Sequence, residues 1–382
     1  MFKVQTLNKI DPIVHEYLPA DQYEIANEMA DPAAIIVRSA SMLEMTMPES
    51  LLAIARAGAG TNNIPTPACS EQGIVVFNTP GANSNAVAEL AVCGLFLASR
   101  NVYAGSAWAQ GLKGNGDEIG GMVEKGKSQF TGPEILGKTL GVIGLGAIGG
   151  KLANYAVALG MNVVGLDNYM SEAAKAALSP SVKVVSSMDE LLPQCDYISL
   201  HMPATPETKG CINKEAFGKM KQGVRILNFA RADLVNVNDM LAALEDGTVA
   251  HYVCDFASEA VLDNPKITVT PHLGASTPES QVNCAVMAAK QLKDFLELGN
   301  ICNSTNFPAL AIPAGSGKAR ATVAYQKDSG ALEKALEIIK PANYVSAERG
   351  NVGYAICELD ACICDKVAEI QGIAGVLKVR AL

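Results

Sequence analysis

Apolar residues in this chain come as short unbroken runs. Each leads into a turn bearing glycine, asparagine or serine, then into a segment with apolar positions at helical spacing. Runs of that length bounded by turns predict buried strands, and the segments between them predict amphipathic helices. Strands are expected at 2–6, 34–37, 51–54, 73–77, 140–143, 162–167, 182–185, 196–201, 225–228, 249–256 and 267–270. The longer helices are expected at 84–100, 148–159, 236–245 and 278–298. Strict alternation of strand and helix predicts parallel sheets covered on both faces. Between the first long helix and residue 137 lies a polar, glycine-bearing segment with the only tryptophan, Trp108. It reads as a connecting helix and loop, an arm toward a partner subunit.

Proline, alanine and glycine accumulate at 308–318, which reads as a linker. The pattern then changes. A strand at 319–326, a helix at 330–339, a hairpin of 343–348 with 352–359, a helix at 361–370 and a strand at 376–381 follow in order. This β-α-β-β-α-β series predicts a ferredoxin-like α+β unit.

Candidate chemistry starts at Gly144-Leu-Gly-Ala-Ile-Gly149, which joins the strand at 140–143 to the helix at 148–159. Glycines at 144, 146 and 149 give the spacing of a dinucleotide-binding turn in the strand–turn–helix context that motif requires. Gly144 would make the tight turn, Gly146 would let a pyrophosphate approach the backbone, and Gly149 would let helix and strand pack closely. The helix N-terminus would add free N–H groups and a positive dipole. A second strand ends in Asp167, where a carboxylate could hold a ribose diol. Asn168-Tyr-Met170 then supplies no arginine for a 2′-phosphate, which favours NAD over NADP.

Other polar residues also fall at strand ends: His201, Arg231, Asp255 and His272 in the central region, and Arg38 and Arg56 in the first hundred residues. In open α/β sheets, ligands bind at the carboxyl edge of the strands. The four central residues and Asp167 therefore predict one shared crevice, and the two arginines predict an anion pocket.

Composition limits the partners. The 382 residues carry a net charge of −9, with 49% hydrophobic and 18% charged residues, so a basic nucleic-acid-binding face is not expected. No apolar run approaches membrane-spanning length, and Met1-Phe-Lys-Val-Gln5 lacks the layout of a signal peptide. A cytoplasmic protein that does not bind membranes is expected. The ten cysteines include no C-x-x-C pair and no ligand spacing with the four histidines. They read as reduced small hydrophobes, and no metal site is expected.

Several motifs together resemble the D-2-hydroxyacid dehydrogenase family, and within it the branch that acts on phosphoglycerate. They are Ile35-Ile-Val-Arg38-Ser39-Ala40, Arg56-Ala-Gly58-Ala-Gly60-Thr-Asn-Asn63, Asn78-Thr-Pro-Gly81, the glycine loop, Asn228-Phe-Ala-Arg231 and Thr270-Pro-His272-Leu-Gly-Ala-Ser-Thr277. The tail resembles a degenerate ACT domain. The resemblance implies a Rossmann NAD-binding domain at 99–285 inserted into a flavodoxin-like substrate domain at 1–98 and 286–308. A linker at 309–318 would lead to an ACT-like domain at 319–382.

The implied reaction is NAD-dependent oxidation of 3-phospho-D-glycerate to 3-phosphohydroxypyruvate, the first step of L-serine biosynthesis. A 2-hydroxy acid needs a base at its hydroxyl, and His272 takes that role, since imidazole exchanges protons near neutrality. Glu259 would hold the ring, although it lies four residues after Asp255 where the family has five, with Ala260 in place of a proline. Arg231 would grip the substrate carboxylate. Arg38, Ser39, Arg56, Gly58 and Asn83 would hold the rest of the substrate, with the two arginines on its phosphate. The cofactor would meet Gly144, Gly146, Ala147, Ile148, Gly149, Asp167, His201, Pro203, Ala230, Asp255 and Gly274, with Asp255 on the nicotinamide amide. A homodimer or homotetramer is implied, with L-serine as a candidate ligand of the tail. Two other functions share the scaffold: another D-2-hydroxyacid dehydrogenase, such as a glyoxylate/hydroxypyruvate reductase, and an NAD-sensing corepressor-like binding protein.

Overall fold

The structure is a computed structural model and describes residues 1–313 and 319–382; positions 314–318 of the expected linker lie outside the described residues. The chain forms two compact units, one of residues 1–83 with 278–382 and one of residues 84–277.

The first unit opens with a parallel sheet of β1 (Phe2–Leu7), β2 (Tyr23–Ala26), β3 (Ala34–Val37), β4 (Ala53–Arg56) and β5 (Val75–Phe77). Their order is β2-β1-β3-β4-β5, the flavodoxin-like arrangement. All of β3 and β5 is buried, which is why these strands are uninterrupted apolar runs. β2 escapes the sequence pattern: it is an edge strand in which only Tyr23 is fully buried.

The second unit holds β6 (Thr139–Ile143), β7 (Asn162–Leu166), β8 (Val182–Val185), β9 (Tyr197–Leu200), β10 (Val224–Asn228), β11 (Val249–Cys254) and β12 (Ile267–Val269). They lie in the order β12-β11-β10-β9-β6-β7-β8. This is the doubly wound Rossmann order with one more strand, and strand order reverses between β6 and β9. The helix Ser84–Ser99 belongs to this unit, whereas the resemblance implied a boundary after residue 98. Its Ala91, Leu95 and Ala98 share a core with Leu140, Val142 and Leu227. At the other boundary, the helix Pro278–Leu298 sends Ala285, Ala288, Leu292 and Phe295 into the core of the first unit.

Four antiparallel strands complete the first unit: β13 (Ala319–Gln326), β14 (Asn343–Arg349), β15 (Val352–Leu359) and β16 (Val376–Ala381), in the order β14-β15-β13-β16. This is the expected ferredoxin-like topology. Strand alternation splits its side chains between two cores. Val323, Ala355 and Cys357 face the helices Ala331–Ile339 and Val367–Gln371. Ala324, Tyr354 and Ile356 instead join Phe77, Phe295 and Phe307 in the core of the first sheet.

The tail is therefore packed into the first unit rather than merely tethered to it. Its side chains also close the C-terminal end of the helix Pro278–Leu298. Arg380 donates to the carbonyls of Phe295 (3.1 Å) and Leu296 (2.6 Å), Arg320 to Leu298 (3.1 Å) and the Tyr354 hydroxyl to Gly299 (2.8 Å). Carbonyls in the last turn of a helix lack partners within it, and cations there oppose the negative end of the dipole. The Arg380 guanidinium also lies 4.7 Å from the centre of the Phe295 ring.

Two local expectations fail here. The helix expected at 361–370 covers only Val367–Gln371, because the preceding turn is occupied by a disulfide between Cys362 and Cys364. That bond also corrects the expectation that every cysteine is reduced. The other eight are free, and Cys69, Cys195, Cys254, Cys284 and Cys357 are buried as expected. Among the described residues no single helix is long and apolar enough to cross a membrane.

Candidate active site

At the switch point of the seven-stranded sheet each glycine of the turn has its own physical reason. Gly144 has φ +93°, and a Cβ there would sit 2.8 Å from the His201 backbone. A Cβ on Gly149 would overlap the Gly144 carbonyl oxygen, so only glycine lets the helix Gly149–Ala158 start this close to β6. Gly146 is different: it is exposed, and a Cβ would meet no protein atom within 4 Å. Nothing in the fold demands glycine there, whereas a ligand lying on the backbone would. Ala147 is also exposed, and Ile148 is half-buried just before the helix.

Asp167 stands just past β7 and steadies this loop, accepting from the N–H of Leu145 on one oxygen and of Tyr169 on the other, both at 2.8 Å. Each oxygen keeps a lone pair for a ribose hydroxyl. On the neighbouring strand, His201 Nε2 lies 2.7 Å from the Ser199 hydroxyl, while its buried Nδ1 has no hydrogen-bond partner. Burial pushes its pKa down to about 4, so the ring is neutral in ordinary buffers. A buried ring nitrogen without a partner fits a polar group arriving from outside the chain. Pro203 is exposed, and its carbonyl accepts from Thr208 at 2.7 Å. The glycine cradle, the Asp167 carboxylate and the orphaned nitrogen together fit a dinucleotide.

The next two strand ends carry the reactive candidates. Asn228, fully buried at the end of β10, shapes the Phe229-Ala230-Arg231 turn. Its amide accepts from the Ala230 N–H (3.2 Å) and donates to the Arg231 carbonyl (2.8 Å). Arg231 is exposed, and its guanidinium donates to the Ala230 carbonyl at 2.7 Å. Past β12, His272 is exposed with φ +57°, a left-handed conformation that costs a non-glycine residue about 1–3 kcal/mol. Its ring packs edge-on against Phe256, with centroids 5.5 Å apart.

Glu259 and Asp255 lie in different surroundings. Among the described residues Glu259 has no hydrogen bond or ion pair with His272. Glu259 is exposed in a turn closed by the Val261 N–H on the Ser258 carbonyl (3.1 Å), and Phe256 occupies the flank of the ring. Asp255 is bonded to the loop that carries His272. It is 1% exposed, and its carboxylate accepts from the Thr270 hydroxyl (2.6 Å), the Leu273 N–H (2.7 Å) and the Gly274 N–H (2.8 Å). Sequence reasoning missed Asn228, Ser199, Thr270 and Phe256 as supports. Asn228 and Thr270 could have been found, since each is a polar residue closing an apolar run just before a candidate arginine or histidine. Among the described residues no cluster of His, Cys, Asp and Glu could hold a metal.

In the first unit β3 and β4 run parallel with Val37 opposite Arg56, so Arg38 and Arg56 end adjacent strands one residue apart in register. Gly58 has φ +148°, and a Cβ there would overlap the Arg56 guanidinium, so this glycine makes room for the arginine. Asn8 Oδ1 accepts from the N–H groups of Ser39 (3.0 Å) and Ala40 (2.6 Å) and fixes the turn after Arg38. Asn83, half-buried, closes this part of the unit.

Comparison with known proteins gives this geometry a family. Residues 95–274 match the D-isomer specific 2-hydroxyacid dehydrogenase, NAD binding domain. A D-3-phosphoglycerate dehydrogenase of Methanocaldococcus jannaschii is 37% identical over 297 residues, 75% of this chain and 54% of that protein. Residues 95–274 belong to the D-isomer-specific 2-hydroxyacid dehydrogenase family. The seven-stranded unit is accordingly an NAD-binding domain, which agrees with the fit of its glycine cradle.

Two solved structures of the family share the fold. A glyoxylate reductase from Paecilomyes thermophila has TM-score 0.66 and 27% identity, covering 80% of this chain and 98% of that one. An NAD+-bound 3-phosphoglycerate dehydrogenase from Entamoeba histolytica has TM-score 0.60 and 27% identity, covering 81% and 99%. The chain spans about half the length of the curated relatives it matches.

Proposed function

We propose that the protein oxidises 3-phospho-D-glycerate at C2 with NAD, giving 3-phosphohydroxypyruvate and opening L-serine biosynthesis. The observation that carries the substrate class is the pair of arginines ending β3 and β4, with Gly58 cleared for the Arg56 guanidinium. A guanidinium fork suits phosphate oxygens, and an uncharged substrate end needs neither arginine. Bound NAD supplies a hydride acceptor. The remaining work falls to side chains of the chain itself. His272 takes the proton of the C2 hydroxyl, and Arg231 pairs with the substrate carboxylate and polarises the C2 oxygen as it becomes a carbonyl. Asp167, His201 and the backbone around Gly146 hold the cofactor, with Pro203, Ala230 and Gly274 beside it.

Residues 1–83 and the segment from 278 act as the substrate-binding domain, and 319–382 as an ACT-like domain that takes L-serine. A second copy of the chain covers the helices Val102–Gln110 and Ile119–Gly126, which bury none of their residues and leave Val102 and Tyr103 exposed. The protein works in the cytoplasm.

Arg56→Met tests the phosphate assignment. One charged hydrogen-bonding group is worth about 1.5–3 kcal/mol, so kcat/KM for 3-phosphohydroxypyruvate should fall at least about tenfold. Hydroxypyruvate, without the phosphate, should change less than about twofold. An equal fall for both substrates would make Arg56 a structural residue.

A further inference from the structure

We infer that Cys362 and Cys364 form a redox-active pair whose oxidation state sets the length of the helix that follows. The sequence pattern and the structure differ over this segment. Ile363, Val367 and Ile370 fall at i, i+4 and i+7, and Asp360 precedes them as a residue suited to cap a helix N-terminus. Ile363 and Ile370 are buried in the core between the four-stranded sheet and its helices, and Val367 packs against it. A helix over 361–371 would keep all three on one face. Helix is nevertheless formed only at Val367–Gln371.

The disulfide is the obstacle. Residues two apart on a helix do not face each other, whereas bridged cysteines bring their Cβ atoms to about 3.5–4.5 Å. A bridge between 362 and 364 and a helix running through them therefore exclude each other. In the bridged form the Cys364 N–H donates to Cys362 Sγ at 3.2 Å, and the Lys366 N–H to the Ile363 carbonyl at 2.9 Å. Val367, Ala368 and Glu369 form the first turn of the short helix, where N–H groups lack partners within the helix. In a longer helix the same three groups reach the carbonyls of Ile363, Cys364 and Asp365. Reduction thus frees a turn that the sequence already encodes.

The pair is also placed for exchange. Both cysteines are exposed, whereas Cys69, Cys195, Cys254, Cys284 and Cys357 are free and buried. A bridge across a separation of two residues closes a very small loop and constrains the unfolded chain little, so it is a weak staple. For closure, a thiolate of the pair attacks one sulfur of a low-mass disulfide such as glutathione disulfide and expels a thiolate. The second cysteine then attacks the mixed disulfide, closes the bridge and expels the other half. Two electrons and the two thiol protons pass to the small disulfide, which becomes two thiols. Excess thiol reverses both steps. The helix concerned bears on the strand that anchors the tail. Gln371 donates to the Leu377 carbonyl at 3.2 Å and accepts from the Val379 N–H at 3.0 Å. Between them, Lys378 donates to the carbonyls of Glu49 and Leu51 at 2.8 and 2.9 Å.

The full-length protein is equilibrated in glutathione buffers from fully reduced to mostly oxidised, quenched with a maleimide and digested for mass spectrometry. The peptide holding both cysteines should pass from doubly alkylated to bridged and back again. Hydrogen exchange in the two end states reads the conformation. Amides of Val367, Ala368 and Glu369 should exchange at least about tenfold more slowly in the dithiol form, while those of β15 keep one rate. Cys362→Ser cannot close the bridge and should show the slow exchange in both buffers; Cys364→Ser serves in the same way if that variant fails to fold. A pair that stays bridged in reduced glutathione, or never closes in the oxidised buffer, would overturn the inference. Equal exchange in the two forms would overturn it as well. Neither readout uses turnover, so the outcome is independent of the reaction proposed above.

Discussion

Replacing His272 with alanine is expected to lower kcat by about a hundredfold to ten-thousandfold, the range for losing a positioned acid–base group. Little else should change. The side chain is exposed, and its ring meets the edge-on approach of Phe256, worth about 0.5–1.5 kcal/mol. Alanine also tolerates the left-handed backbone poorly, so a small drop in thermal stability accompanies the substitution. NADH should bind as before, because the cradle at Gly144, Gly146 and Gly149 lies on other strands. Stopped-flow turnover with parallel NADH fluorescence titration separates the two effects. Turnover within tenfold of the unaltered protein would remove His272 from the chemistry.

The second large effect is on folding. A chain ending at Pro313 lacks the four-stranded sheet, and a separately folded regulator could be lost at little cost to the remainder. The packing predicts otherwise. Tyr354, Ile356 and Ala324 share one core with Phe77, Phe295 and Phe307, and three side chains of the sheet satisfy carbonyls at the end of the long helix. Burying one large apolar side chain is worth about 1.5–3 kcal/mol, and whole domains are stable by only about 5–15 kcal/mol. The truncated protein is therefore expected to be aggregated or without cooperative unfolding, as read by circular dichroism and calorimetry. Tyr354→Ala is the graded version, with an expected loss of about 3–5 kcal/mol. A soluble truncated chain that melts cooperatively near the temperature of the full one would show the sheet to be an appendage.

Much of the fold was legible because buried parallel strands and long helices leave unambiguous patterns. The strands at 34–37, 182–185, 319–326 and 352–359 and the helix at 278–298 fall where the pattern puts them. β2 was not legible, since an edge strand with one fully buried residue has no apolar run. The start of the helix at 361–370 was not legible, because Ile363, Val367 and Ile370 fall at helical spacing and nothing in that spacing shows the disulfide between Cys362 and Cys364. Packing of the tail against the first sheet was hidden for a related reason. Alternation in β13 and β15 shows that both faces are apolar, without saying what covers the second.

At the candidate site, the glycine spacing carried its own explanation, and the structure supplies a steric reason for Gly144 and Gly149. Roles that depend on where a carboxylate points were not readable. Asp255 and Glu259 are both acids just after one strand, yet the first is buried beneath the His272 loop and the second is in solvent.

The most direct test of the functional reading compares substrates with the unaltered protein. NADH absorbance is followed with 3-phosphohydroxypyruvate, hydroxypyruvate, glyoxylate and pyruvate in parallel. A site that pairs two arginines with a phosphate should favour the phosphorylated acid by at least about a hundredfold in kcat/KM, since groups built to bind it are left unpaired by the others. Equal kcat/KM for hydroxypyruvate, or a preference for glyoxylate, would contradict the assignment and make the protein a reductase of unphosphorylated 2-oxo acids.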